Sequence, residues 1–115
     1  MAQLADRPCI PCKGGVPPLT ADGIAPLLEQ LDGWRVVDSH HLEKRYKLKN
    51  FARALELVNR IGAIAEAQNH HPDMGLGWGR VDVTIWTHKI NGLTESDFVF
   101  AAKCDRTFLE MSSDS

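Results

Sequence analysis

Residues 50–72 read NFARALELVNRIGAIAEAQNHHP. Phe51, Ala54, Leu55, Val58, Ile61 and Ala65 recur every three or four positions, the spacing that gathers apolar side chains on one face of an α-helix. Asn50 supplies an N-cap oxygen. Pro72 stops the helix, because it lacks an amide and disfavours helical backbone at the residue before it. The stretch therefore predicts a helix from Asn50 to about Asn69, with His70 and His71 at its exit.

The pattern changes on both sides. Downstream, Gly75, Gly77 and Gly79 give way to Val81, Val83 and Ile85 alternating with Asp82, Thr84 and Trp86, which predicts a strand running to about His88 with its apolar face inward. A further strand fits between Met74 and Trp78. A last helix starts at Thr94, where Asp97 completes a capping box and Phe98, Ala101, Ala102 and Asp105 fall on successive turns. Upstream, Trp34 to Val37 and Leu42 to Leu48 flank Asp38, Ser39, His40 and His41 as a hairpin. Before it, Thr20 can cap a helix bearing Ile24, Leu27, Leu28 and Leu31 and ending near Gly33, although Pro26 argues for a later start. The order α-β-β-α-β-β-α is that of an α+β domain, a four-stranded antiparallel sheet with helices on one face. The other face would carry Thr84, Trp86 and His88 and could hold a flat ligand.

One domain is expected over 19–110, with an irregular arm at 1–18 rich in proline and a frayed tail at 111–115. Thirteen Lys and Arg against fifteen Asp and Glu leave a net charge of -2, which offers no basic stripe for nucleic acid. The longest apolar runs, Ile61 to Ala65 and Phe98 to Ala102, are far short of the roughly 20 residues that span a membrane. No signal-like segment opens the sequence, so a cytoplasmic location with free thiols is expected. Cys9 and Cys12 form a CxxC pair that no second pair at finger spacing completes.

Three of the five histidines, His70, His71 and His88, fall close together in the sequence, and imidazole exchanges protons near neutral pH. Carboxylates that could orient them are Glu66, one helical turn before His70, and Asp97. Blander roles compete: a solvated helix face for Glu66, the capping box for Asp97, and bonds to the last helical carbonyls for His70 and His71. Zinc is a rival ligand for the histidines, but no HxH or HxxxH pair supports it, and no metal site is expected there.

Glu66, His70-His71-Pro72, Trp78, His88 and Asp97, at these spacings, resemble the signature of the pterin-4a-carbinolamine dehydratases. Leu31-x-Gly33-Trp34, Phe51-x-x-Ala54 and Gly92-Leu93-Thr94 extend the resemblance from about Leu19 to Leu109. Met74 departs from it, standing where a large aromatic or branched residue is common. The resemblance implies dehydration of 4a-hydroxytetrahydrobiopterin to quinonoid dihydrobiopterin in tetrahydrobiopterin recycling. No cofactor is expected beyond the pterin substrate. It implies acid and base work shared by His70, His71 and His88, orientation by Glu66 and Asp97, and pterin contacts from His70, His71, Pro72, Thr87, His88, Lys89 and Ile90. It further implies a homodimer or homotetramer and an aromatic amino-acid hydroxylase in the same pathway. The alternatives are a noncatalytic pterin-binding or protein-interaction module, and a role in molybdopterin metabolism.

Overall fold

The computed structural model describes residues 4–6 and 17–113; Cys9, Cys12 and the rest of the expected arm, with the last two residues, lie outside them. Helix α1 spans Ala21–Leu28, strands β1 Arg35–Val37 and β2 His41–Lys47, helix α2 Phe51–Gln68, strands β3 Asp73–Gly77 and β4 Arg80–Ile85, and helix α3 Glu95–Ser113. The strands form one antiparallel sheet in the order β1-β2-β4-β3. The expected α+β architecture is the observed one.

Register explains which face is covered. Leu42 lies opposite Ile85 and Tyr46 opposite Val81, so these side chains share one face, and all four are buried with Val83. Glu43, Arg45 and Lys47 point the other way with Thr84, Asp82 and Arg80 opposite them. There Arg45 and Arg80 both bond Asp82. Ala54, Leu57, Ile61 and Ala65 of α2 and Phe98, Phe100, Ala101 and Cys104 of α3 complete the core on the covered side. Helix α2 matches its sequence signals at both ends. The Asn50 side chain accepts from the Arg53 amide at 2.9 Å, and Asn69 closes the helix in the left-handed conformation.

Three boundaries differ from the sequence reading. Helix α1 begins straight after Thr20 and accommodates Pro26 in its second turn, where the ring is exposed and the helix ends two residues later. Strand β4 ends at Ile85 rather than near His88. Opposite it, β3 begins at Asp73, and the preceding Pro72 has no amide to extend the ladder. Thr87 instead pairs with Gly92 across a short turn. Helix α3 continues past the expected boundary near 110 to Ser113, and the Met111 side chain is buried in the core. At the other end of the chain, Leu4–Asp6 forms a 3-10 turn docked on α3. Lys103 and Arg106 donate to the Ala5 carbonyl there, and Leu4 is buried.

A polar knot fastens α3 to the sheet. Asp105 accepts from the Tyr46 hydroxyl at 2.6 Å, from the Lys44 ammonium at 2.8 Å and from the Trp34 indole. Burial, with Cys104 and Asp105 nearby, pushes the Tyr46 phenol far above its ordinary range. Above about pH 10 the unfolded chain releases this proton and the folded chain keeps it, so this group lowers stability as pH rises. Tyr46 is the sole tyrosine. Phenolate absorbance should therefore appear in the same step as loss of circular dichroism in an alkaline titration, and a separate ionisation of the folded protein would contradict the knot.

Candidate active site

The site is assembled where α2 ends, β4 ends and α3 begins. Asn69, at φ 53°, turns the chain sharply out of α2, and its successor His70 leaves the helical path. The His70 ring reaches the first turn of α3, where Nε2 donates to Asp97 Oδ1 at 2.7 Å. Asp97 is wholly buried, and its second oxygen accepts from the Thr87 hydroxyl and from the Thr94 amide, each at 2.8 Å. The capping role and the orienting role, alternatives in the sequence, are thus performed together by the two oxygens of one carboxylate. With Nε2–H engaged, His70 keeps Nδ1 as its proton-accepting atom. Its side chain is 11% exposed, so the ring is held nearly dry while one edge remains reachable.

His71 follows a different course. Its Nε2 meets Glu66 Oε2 at 2.5 Å, and both side chains are largely exposed. Glu66 therefore partners His71 and not His70, although His70 stands one turn on in sequence, because the left-handed residue at Asn69 breaks the helical spacing before either histidine. An exposed pair of this kind contributes little to stability.

His88 is exposed and opens the turn that follows Thr87. Its ring lies 4.3 Å from that of Trp86, centroid to centroid. Thr87 is buried, and its hydroxyl donates to Asp97. His70 and His88 are in this way tied to the same carboxylate, one directly and the other through the neighbouring residue. Lys89 is exposed beside His88, and Ile90 and Pro72 are half-buried. Trp78 is not brought to the histidines. It stands 71% exposed on the β3–β4 turn, a strand length of about 20 Å from Trp86. Met74 packs against the core.

His40 and His41, read only as turn residues, are close neighbours of this group. Their rings lie 5.5 and 6.1 Å from Trp86. The signal that could have found them is register: Leu42 opposite Ile85 places His41 beside Trp86 once the two strands are paired. A described cavity of about 490 Å³ is lined by Gly33, Arg35, Glu43, Lys44, Arg45 and Asp82, none of them a histidine. Among the described residues no group of three or more His, Cys, Asp and Glu side chains could hold a metal ion. Among them, too, no helix is long and apolar enough to cross a membrane.

Fold and site together define a small α+β domain with carboxylate-held histidines at one end of an antiparallel sheet. Residues 17–107 match the family model described as pterin 4 alpha carbinolamine dehydratase. A relative from Rubrobacter xylanophilus, provisionally named pterin-4-alpha-carbinolamine dehydratase, is 59% identical over 106 residues, covering 92% of this chain and 99% of its own. One from Alkaliphilus metalliredigens with the same provisional name is 54% identical over 107 residues, covering 92% and 96%. A crystal structure from Brucella melitensis, titled transcriptional coactivator/pterin dehydratase, superposes with a TM-score of 0.74 at 35% identity, covering 78% of this chain and 97% of that one. The chain belongs to the pterin-4-alpha-carbinolamine dehydratase family.

Asp97→Asn keeps the size of the side chain but replaces one acceptor by a donor, which forces His70 to present Nε2 as an acceptor. The variant should fold with a loss of about 2 kcal/mol in denaturant unfolding and show the opposite His70 tautomer by nitrogen-15 NMR. An unchanged tautomer would contradict the geometry.

Proposed function

We propose that this chain dehydrates 4a-hydroxytetrahydrobiopterin to quinonoid dihydrobiopterin by histidine acid–base catalysis, in the recycling of tetrahydrobiopterin. In the reaction the bond from C4a to its hydroxyl breaks, N5 loses its proton, and a C4a=N5 double bond forms as water leaves. Two proton transfers suffice, one to the hydroxyl and one from N5. The observation that carries the reading is the His70–Asp97 pair. The buried Asp97 carboxylate occupies Nε2 and fixes the ring, which leaves Nδ1 as the open nitrogen and suits His70 to act as the base. His88, exposed on a turn beside Trp86, is suited to deliver the other proton. His71, paired with Glu66, positions the ring, and Pro72, Lys89 and Ile90 flank it. Thr87 acts through Asp97. The substrate and the residue roles follow the family resemblance. The bond geometry supports those of His70 and Asp97.

A noncatalytic reading is supported by one likeness. The Brucella structure carries the words transcriptional coactivator in its title. A second solved structure, titled a pterin dehydratase-like RuBisCO assembly factor of the alpha-carboxysome, shares the fold with a TM-score of 0.58 at 23% identity, covering 66% of this chain and 89% of its own. One assay separates the readings. With 4a-hydroxytetrahydrobiopterin generated in situ and followed by ultraviolet absorbance, the wild-type chain should accelerate dehydration. His88→Ala should lower kcat by about a hundredfold, while His71→Ala should chiefly raise KM. Equal loss of kcat in both variants would overturn the division of labour. No acceleration by the wild-type chain would leave a binding module.

A further inference from the structure

The β1–β2 hairpin tip reaches across to the turn that carries His88. Asp38 and Ser39 both take φ 54°, as a tight primed hairpin turn requires, and the following His40 amide donates back to the Val37 carbonyl at 2.9 Å. This turn delivers the His40 ring to Asn91, whose Oδ1 accepts from Nε2 at 2.8 Å. With that nitrogen donating, Nδ1 of a neutral His40 accepts from Nδ1 of His41 at 3.1 Å. The ring is held at both nitrogens and lies 5.5 Å from Trp86, which in turn lies 4.3 Å from His88.

The 88–91 turn is closed at its base by the Thr87–Gly92 pair, whose backbone bonds measure 2.9 and 3.4 Å. Its internal bonds are two long backbone contacts of 3.2 Å, from the Ile90 amide to Thr87 and from the Asn91 amide to His88. Asn91 sits at φ 55°, a conformation that asparagine tolerates better than most residues. Among the described residues, the side-chain hydrogen bond that joins this turn to another element is the one that Asn91 Oδ1 accepts from His40. The Trp86 ring lies near a ring of each loop, 5.5 Å from His40 and 4.3 Å from His88.

We infer that His40 is a positioning residue, which holds His88 in its working orientation through Asn91 and through the shared Trp86 ring. The inference rests on the reading of His88 as a proton-transfer group. His40 touches none of the reacting atoms; its effect passes through the turn. Removing the tether frees the turn, so the fraction of time that His88 spends aligned with the substrate falls while the binding contacts elsewhere remain.

The test uses the full chain with three variants. His40→Phe keeps a ring against Trp86 and deletes the bond; Asn91→Gly keeps the left-handed backbone and deletes the acceptor; Asn91→Asp keeps both. His88 ring protons, assigned by comparison with His88→Ala, should carry a ring-current shift from Trp86 in NMR spectra of the wild type. That shift should shrink in His40→Phe and in Asn91→Gly and return in Asn91→Asp. In the dehydration assay the first two should lose roughly tenfold in kcat with KM unchanged, and Asn91→Asp should retain wild-type kcat. The double variant His40→Phe with Asn91→Gly should be no worse than either single one. An unmoved His88 resonance, or a moved one with unchanged kcat, would overturn the inference. If the wild-type chain does not accelerate dehydration, the proposed function falls, and the resonances alone decide whether the tether exists.

Discussion

The arrangement of this molecule turns on one buried carboxylate. Asp97 has no exposed surface, and taking an ionised side chain out of water costs several kcal/mol unless its oxygens are fully engaged. The partners that engage it come from three separate places: His70 from the exit of α2, Thr87 from the bridge just past β4, and the Thr94 amide from the residue before α3. Each therefore has to arrive within hydrogen-bond distance for the core to close. The orientation of the His70 imidazole is thus enforced by the same interaction that stabilises the fold.

Helix α3 repeats this device further along. Asp105 gathers Trp34, Lys44 and Tyr46, joining the middle of α3 to β2 and to the loop before β1. Lys44 also donates to the Asp32 carbonyl and lies over the Tyr46 ring, so its charge is matched on the covered side of the sheet. Two carboxylates on one helix fix its position along the sheet at two points, and Phe98 and Phe100 fill the space between the helix and its neighbours.

What was legible in the sequence is what local physics decides. Helix α2 shows its period, its asparagine at each end and its proline stop within a single stretch, and β4 shows strict alternation. The end of β4 was not legible, since it depends on Pro72 standing at the head of a strand that is adjacent only in space. In helix α3 the sequence shows one stripe, yet Phe98, Val99, Phe100 and Ala101 are buried in succession, so burial there follows no helical period. In the site, the pairing of Asp97 with His70 was open in sequence to a competing cap. The pairing of Glu66 with His71 was obscured by the turn at Asn69, and His40 was hidden by a separation of 51 residues from Asn91.

The burial of Asp97 also divides the site by how much of the protein must open for each part to move. Amides whose exposure requires breaking the Asp97 cluster belong with the core, which exchanges only when most of the structure comes apart. The 88–91 turn, which beyond the Thr87–Gly92 pair at its base is held by two 3.2 Å backbone bonds and an exposed side-chain tether, belongs to the part that opens locally at small cost. One wall of the site is therefore as durable as the fold, while the other can yield to an incoming ligand without disturbing it.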